Sequence, residues 1–128
     1  MTITNIRKPT ESELEILQVL WTRSKATVRE VHEVLLKTKD AGYTTTLKLM
    51  QIMHDKGLVT RDDSIKTHIY TPAVSRENTQ KQMVNKMINS LFSGSSTNMV
   101  LQALGGHTAS NEELDIIQEM INELKKKK

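Results

Sequence analysis

Between residues 43 and 53, Thr44, Thr45, Lys48 and Gln51 place short hydroxyls, an ammonium and an amide within two turns of a helix. They project away from Thr46, Leu49, Met50 and Met53, whose spacing would face a core. Donors of these types suit phosphate oxygens and the edges of bases, the chemistry of a nucleic-acid duplex. Leu47 is apolar but falls off the core stripe. Near the helix start it can lie against a thymine methyl group, or it can be incomplete amphipathicity with no role. Ile52 has the same two readings, and packing under the hairpin is a third.

Two other places carry groups of the same kind. Thr27 and Arg29 stand at the start of another helix, where outward-pointing N–H groups favour an anion. Capping by itself also accounts for Thr27. Arg61, Lys66 and His68 could add phosphate contacts, next to Asp62 and Asp63, which would repel a polyanion if they faced it and otherwise read as solvated turn residues.

Other chemistries find no constellation. The chain has no cysteine, so disulfides, thiolate metal sites and cysteine nucleophiles are excluded. His32, His54, His68 and His107 are isolated, with none of the paired spacings of a metal site. No nucleophile elbow or glycine-rich phosphate loop occurs. No catalytic residue, metal or cofactor is therefore expected.

The elements that must position these groups are legible from caps and periodicity. Thr10-Glu11-Ser12-Glu13, Thr27-Val28-Arg29-Glu30 and Ser110-Asn111-Glu112-Glu113 are capping boxes, each opening an apolar periodic run. The first run has Leu14, Leu17, Leu20 and Trp21, and the second Val28, Val31, Val34 and Leu35. A third helix spans about residues 44–56 and ends at Gly57. Leu58-Val59-Thr60-Arg61 and Thr67-His68-Ile69-Tyr70-Thr71 then read as a hairpin stopped by Pro72. Ser75 caps a helix carrying Met83, Met87 and Leu91 up to the break at Ser93-Gly94-Ser95-Ser96. A shorter helix bears Met99, Val100 and Leu104, and Gly105-Gly106 separates it from a last one with Leu114, Ile117, Ile121 and Leu124. Met83, Met87, Met99 and Met120 sit on apolar stripes, where methionine fills core or interface gaps.

Three helices followed by a hairpin is the order of a winged helix-turn-helix, whose third helix enters the major groove. The expected class is mainly α with a small β-hairpin: a winged-helix DNA-binding domain over residues 1–74 and a helical dimerisation domain with a lysine tail over 75–128. The short helices of the second part carry more apolar seam than they can bury on themselves, so a second copy is the expected cover, with packing back onto the first domain as the alternative. Met83, Met87, Leu91, Met99, Val100, Leu104, Leu114, Ile117, Ile121 and Leu124 would line that interface. A symmetric pair implies an inverted-repeat site in double-stranded DNA.

With 128 residues the chain is too short for a large enzyme fold, and its pI of 9.2 owes most to Lys125–Lys128, a tail that reads as a solvated end. Neither a membrane span nor a secretory leader is expected, which points to the cytoplasm.

Thr10-Glu11-Ser12-Glu13-Leu14-Glu15-Ile16-Leu17 with Trp21, the stretch from Tyr43-Thr44-Thr45-Thr46-Leu47 to Asp55-Lys56-Gly57-Leu58-Val59, and the Tyr70-x-Pro72 exit together resemble the penicillinase-repressor (BlaI/MecI/CopY) family of bacterial transcription regulators. The resemblance covers nearly the whole chain. It implies a dimeric winged-helix repressor whose third helix reads dyad operators with TACA/TGTA-like elements, and it supports Thr44, Thr45, Leu47 and Lys48 as contacts by position. The β-lactam-responsive members are cut at an Asn-Phe bond after a membrane sensor detects the drug, which would make a sensor or protease system a partner. The matching stretch here is Val100-Leu101-Gln102-Ala103, and the cysteine pairs of copper-responsive relatives are missing. The expected function is thus a cytoplasmic dimeric repressor on a palindromic operator, with regulation of the antibiotic-resistance type. The rival is a protein-interaction adaptor built on a winged helix, disfavoured because the exposed face of residues 44–56 lacks aromatic anchors.

Overall fold

The computed structural model describes residues 8–106 and 108–127, so His107, Lys128 and the start of the chain, where no leader is expected, lie outside it. The fold is mainly helical with one two-stranded hairpin. In order come α1 (Glu11–Arg23), α2 (Val28–Leu35), α3 (Tyr43–Lys56), β1 (Val59–Asp62), β2 (Ile69–Pro72), α4 (Arg76–Ser90), α5 (Ser96–Gly106) and α6 (Asn111–Lys126). No helix among the described residues is long and apolar enough to cross a membrane. The described chain divides into two compact units, one up to Lys81 and one from Gln82.

Local rules account for the ends of the first helices. Thr10 and Thr27 each accept from the backbone N–H three residues on, and Glu13 and Glu30 reach back to the N–H of the capping threonine at 2.9 Å. α3 closes at Gly57, whose φ of 82° is the left-handed conformation glycine adopts without strain. There Gly57 N–H donates to the His54 carbonyl and Leu58 N–H to that of Met53, the paired bonds of a Schellman stop. Met53 and Leu58, brought together by that stop, are both fully buried.

The core of the first unit is built from Ile16, Leu17 and Leu20 of α1, Val28, Val31 and Leu35 of α2, Met50 and Met53 of α3, and Leu58, Val59 and Tyr70 of the hairpin. Burying each such aliphatic side chain contributes about 1.5–3 kcal/mol. Leu14, Trp21, Val34, Leu47 and Leu49 pack partly buried around it. Glu13 is buried too, and its carboxylate is satisfied by Thr10 N–H and by Lys56 Nζ at 2.7 Å. Trp21 Nε1 donates to the Val74 carbonyl at 2.9 Å, and the Arg76 guanidinium lies over the Trp21 ring. With Thr79 buried, the first turns of α4 belong to this unit.

The strands run antiparallel, with Val59 opposite Pro72 and Arg61 opposite Tyr70. Pro72 is thus the last paired residue of β2 rather than a stop before its end. Ala26, just ahead of α2, exchanges both backbone hydrogen bonds with Tyr70 and ties the start of α2 to the wing. Periodicity cannot reveal such a one-residue bridge, because it needs no strand pattern on the Ala26 side.

In the second unit, Ser110 and Glu113 complete a capping box on α6, and Ser95 Oγ accepts from Asn98 N–H at the start of α5. The break after α4 falls at Ser93 and Gly94, both at positive φ. α5 runs through Gly105-Gly106 instead of ending before it, since glycine weakens a helix without forbidding it. No residue of α5 or α6 is buried. Met83, Met99 and Ile117 are half-buried, while Met87, Leu91, Val100, Leu104, Leu114, Ile121 and Leu124 are exposed.

Candidate nucleic-acid interface

Helical spacing lays two exposed stripes side by side on α3. Tyr43, Leu47 and Gln51 recur every fourth residue on one, and Thr44, Lys48 and Ile52 on the next. The first stripe faces a cleft of about 390 Å³ whose other walls are Thr27, Val28 and Arg29 from the start of α2 and Lys66, Thr67, His68 and Tyr70 from the hairpin. The second borders a shallower depression with Thr45 and Leu49. Six of the residues singled out in the sequence, Thr27, Arg29, Leu47, Gln51, Lys66 and His68, therefore converge on one concave surface. Thr44, Thr45 and Lys48 lie on the adjoining face of the same helix, all exposed.

Leu47 is half-buried against the edge of the core and lines the cleft as well, so its position off the stripe has a structural reason. Ile52 is exposed beside Lys48 on the second stripe. At the start of α2, Thr27 Oγ1 accepts from Glu30 N–H at 3.2 Å, and the Glu30 carboxylate, 3.6 Å from Arg23, occupies one side of the helix end. The N–H groups of Val28 and Arg29, in the first turn of α2, have no intrahelical acceptor, and both residues line the cleft.

In the hairpin, Arg61, Asp63 and His68 are grouped together. Arg61 Nε donates to Asp63 Oδ1 at 2.8 Å, and His68 Nδ1 lies 3.6 Å from that same oxygen. Arg61 lines neither depression, and the Tyr70 side chain first, then Asp63, hold its guanidinium above its ordinary pKa. Asp62 Oδ1 accepts from Ser64 N–H at 2.9 Å; the Ser64 side chain and then this backbone bond keep the Asp62 carboxyl below its ordinary value. The two aspartates, read in the sequence as solvated turn residues, thus have separate tasks: Asp62 closes the turn and Asp63 offsets Arg61 while lying beside His68. Lys66 makes no ion pair among the described residues.

Tyr43 and Thr67 line the cleft, yet neither is read from the sequence as a contact residue. The signal for Tyr43 was its place four residues before Leu47 in a chain with 3% aromatic residues. Its ring carries the Arg29 guanidinium at 5.5 Å and meets the His32 ring edge-on, also at 5.5 Å. Among the described residues no three His, Asp or Glu side chains are grouped to hold a metal ion.

Comparison with known proteins agrees with this architecture. Residues 9–123 match the family described as Penicillinase repressor. A penicillinase repressor of Bacillus licheniformis is 25% identical over 118 residues, 92% of each chain. The transcriptional regulator BlaI of Mycobacterium tuberculosis is 35% identical over 66 residues, 51% of this chain and 48% of its own. The methicillin resistance regulatory protein MecI of Staphylococcus aureus (strain N315) is 21% identical over 111 residues, 87% of this chain and 90% of its own. With a family match spanning nearly all of its length and a hairpin set directly after three helices, the chain belongs to the penicillinase repressor family.

Proposed function

We propose that this chain is a transcriptional repressor that binds double-stranded DNA as a homodimer, laying α3 in the major groove of each half of an inverted-repeat operator. The observation that carries the reading is the convergence of Arg29, Gln51, Lys66 and His68 on one cleft beside the exposed stripe of Thr44, Thr45 and Lys48. On this reading Thr44, Thr45, Lys48, Gln51 and the Leu47 edge meet bases or the nearest phosphates, while Thr27, Arg29, Lys66 and His68 meet the flanking backbone. Arg61 adds less to the wing's positive field, because Asp63 offsets its charge. The likeness to a penicillinase repressor and to a methicillin resistance regulatory protein supports regulation of the antibiotic-resistance type, and a DNA partner points to the cytoplasm.

The second unit supports the dimer. Its helices bury no residue in α5 or α6, and Leu91, Leu101, Ile116 and Met120 are each more than 60% exposed. Helices of 11 and 16 residues are marginal in water without a packed face, so a second copy covering Leu91, Val100, Leu104, Leu114, Ile117, Ile121 and Leu124 supplies what one chain lacks.

The test is selection of bound fragments from genomic DNA by the full chain, followed by affinity measurement on the winning sequence across a salt series. An inverted repeat should emerge, and binding should weaken by about 10³-fold or more between low and moderate salt if six or more phosphates are contacted. Fragments without symmetry, or salt-insensitive binding of a protein in their place, would refute it in favour of an adaptor.

A further inference from the structure

Tyr43, a residue 40% exposed, opens α3 at the rim of the cleft, in a chain that has only two tyrosines. Two groups pack on that ring. The Arg29 guanidinium carbon lies over it, 5.5 Å from the centroid, within the range of a cation–π contact. The His32 ring meets it edge-on, with an interplanar angle of 86°. His32 is itself fixed, because its Nδ1 lies 3.2 Å from Oγ1 of Thr46, a hydroxyl that is 1% exposed inside the α2–α3 packing. Arg29 and His32 are one helical turn apart on α2, so a single tyrosine from α3 reaches both.

Arg23 and Arg61 show what this arrangement avoids. Arg23 pairs with Glu30 and Arg61 with Asp63, so each of these two has its charge offset by a carboxylate. Among the described residues no carboxylate lies within ion-pairing distance of Arg29. An aromatic face can hold a guanidinium by stacking, and it leaves the charge and the planar set of donors unspent.

We infer that Tyr43 is a positioning residue, an aromatic platform that holds Arg29 ready for a DNA backbone phosphate at the cleft. The inference rests on the DNA-binding reading and adds to it the device that prepares the phosphate contact. A guanidinium already ordered in the free protein loses less freedom when the phosphate arrives, which strengthens binding without any contact from the tyrosine itself.

The test uses the full chain and a 30-base-pair duplex of arbitrary sequence, since a phosphate contact does not depend on sequence. Tyr43→Leu, which keeps bulk beside His32 but has no π face, should weaken duplex binding about two- to fivefold. Tyr43→Phe should bind as the wild type does. In an Arg29→Gln background, Tyr43→Leu should cost nothing further, because the platform then has nothing to hold. Equal loss in both backgrounds, undiminished binding by Tyr43→Leu, or a loss in Tyr43→Phe as large as in Tyr43→Leu would each overturn the assignment. Nuclear magnetic resonance of the free protein supplies a reading independent of DNA and of whether Tyr43→Leu folds. The Arg29 Nε–H resonance should show an upfield ring-current shift in the wild type and in Tyr43→Phe, and its absence would sink the platform. If that shift is present while the wild type binds no duplex, the DNA-binding reading has failed, and the phosphate fails with it as the partner of Arg29.

Discussion

Lys56 Nζ lies 2.7 Å from Oε1 of Glu13, across 43 residues of chain, and so fastens the last turn of α3 to the first turn of α1. The same carboxylate caps α1 through Thr10 N–H, and it is almost wholly out of water. One buried charge therefore serves a local and a long-range purpose at once, and α3 keeps its angle to the core because its end is tied down as well as packed.

Removing the ammonium leaves that carboxylate with its cap but without its counter-charge. Lys56→Met should lower unfolding stability by about 2 kcal/mol, below the 3–5 typical of a wholly buried pair because Lys56 is partly solvated. Urea denaturation followed by the fluorescence of Trp21, the single tryptophan, measures it. A midpoint unchanged from wild type would show that the pair contributes nothing.

Lys48 stands exposed in the middle of the second stripe of α3. Lys48→Ala should weaken operator binding by about 1–3 kcal/mol if the ammonium reads a base, and should flatten the salt dependence by about one unit if it touches only phosphate. Isotherms on the selected operator and on an unrelated duplex separate the two. No change in either would remove Lys48 from the interface.

Asp63 is shared by Arg61 and His68 at the wing. Asp63→Asn keeps an oxygen acceptor for Arg61 but deletes the negative charge, so affinity for arbitrary duplex should rise about two- to threefold and the salt slope should steepen by about one unit. Fluorescence anisotropy at several salt concentrations reads both quantities. Weaker binding would mean that the pair shapes the wing more than it masks its charge.

The turn carries a pH signature. Asp62 is held below its ordinary pKa, first by the Ser64 side chain and then by the Ser64 backbone N–H. Because the folded value is depressed, whatever stability this contact contributes is present above the ordinary carboxylate range and is lost as the pH falls through the lowered value. Carbon-detected titration of the Asp62 carboxyl should show the depressed midpoint, and Ser64→Ala should move it upward. Coincident titrations in the two proteins would assign the depression elsewhere.

Leu91 is 69% exposed after the end of α4, on the face proposed to be covered by a second copy. Leu91→Glu should cost a lone chain almost nothing but place a charge in the dimer contact, shifting sedimentation from twice the 14.6 kDa of the chain toward the single mass. A variant that still sediments as the wild type does would place the contact away from Leu91.

Interactions within one turn of chain were readable from the residues alone, because their geometry depends on sequence spacing and little else. The three capping boxes, the glycine stop at Gly57, the apolar faces of α1 and α2 and the succession of helices into a hairpin all follow from i, i+3 and i, i+4 neighbours. Residue type likewise marked the donors along α3. Gly105-Gly106 shows the edge of that legibility, since a helix can absorb two glycines when its surroundings favour it. What tertiary structure alone decided are the meetings of residues distant along the chain: Glu13 with Lys56, Ala26 with Tyr70, Trp21 with Val74, and Tyr43 beneath Arg29. No periodicity encodes these. They depend on how the helices cross and where the hairpin folds back, and the same crossing gathers α2, α3 and the wing around one cleft.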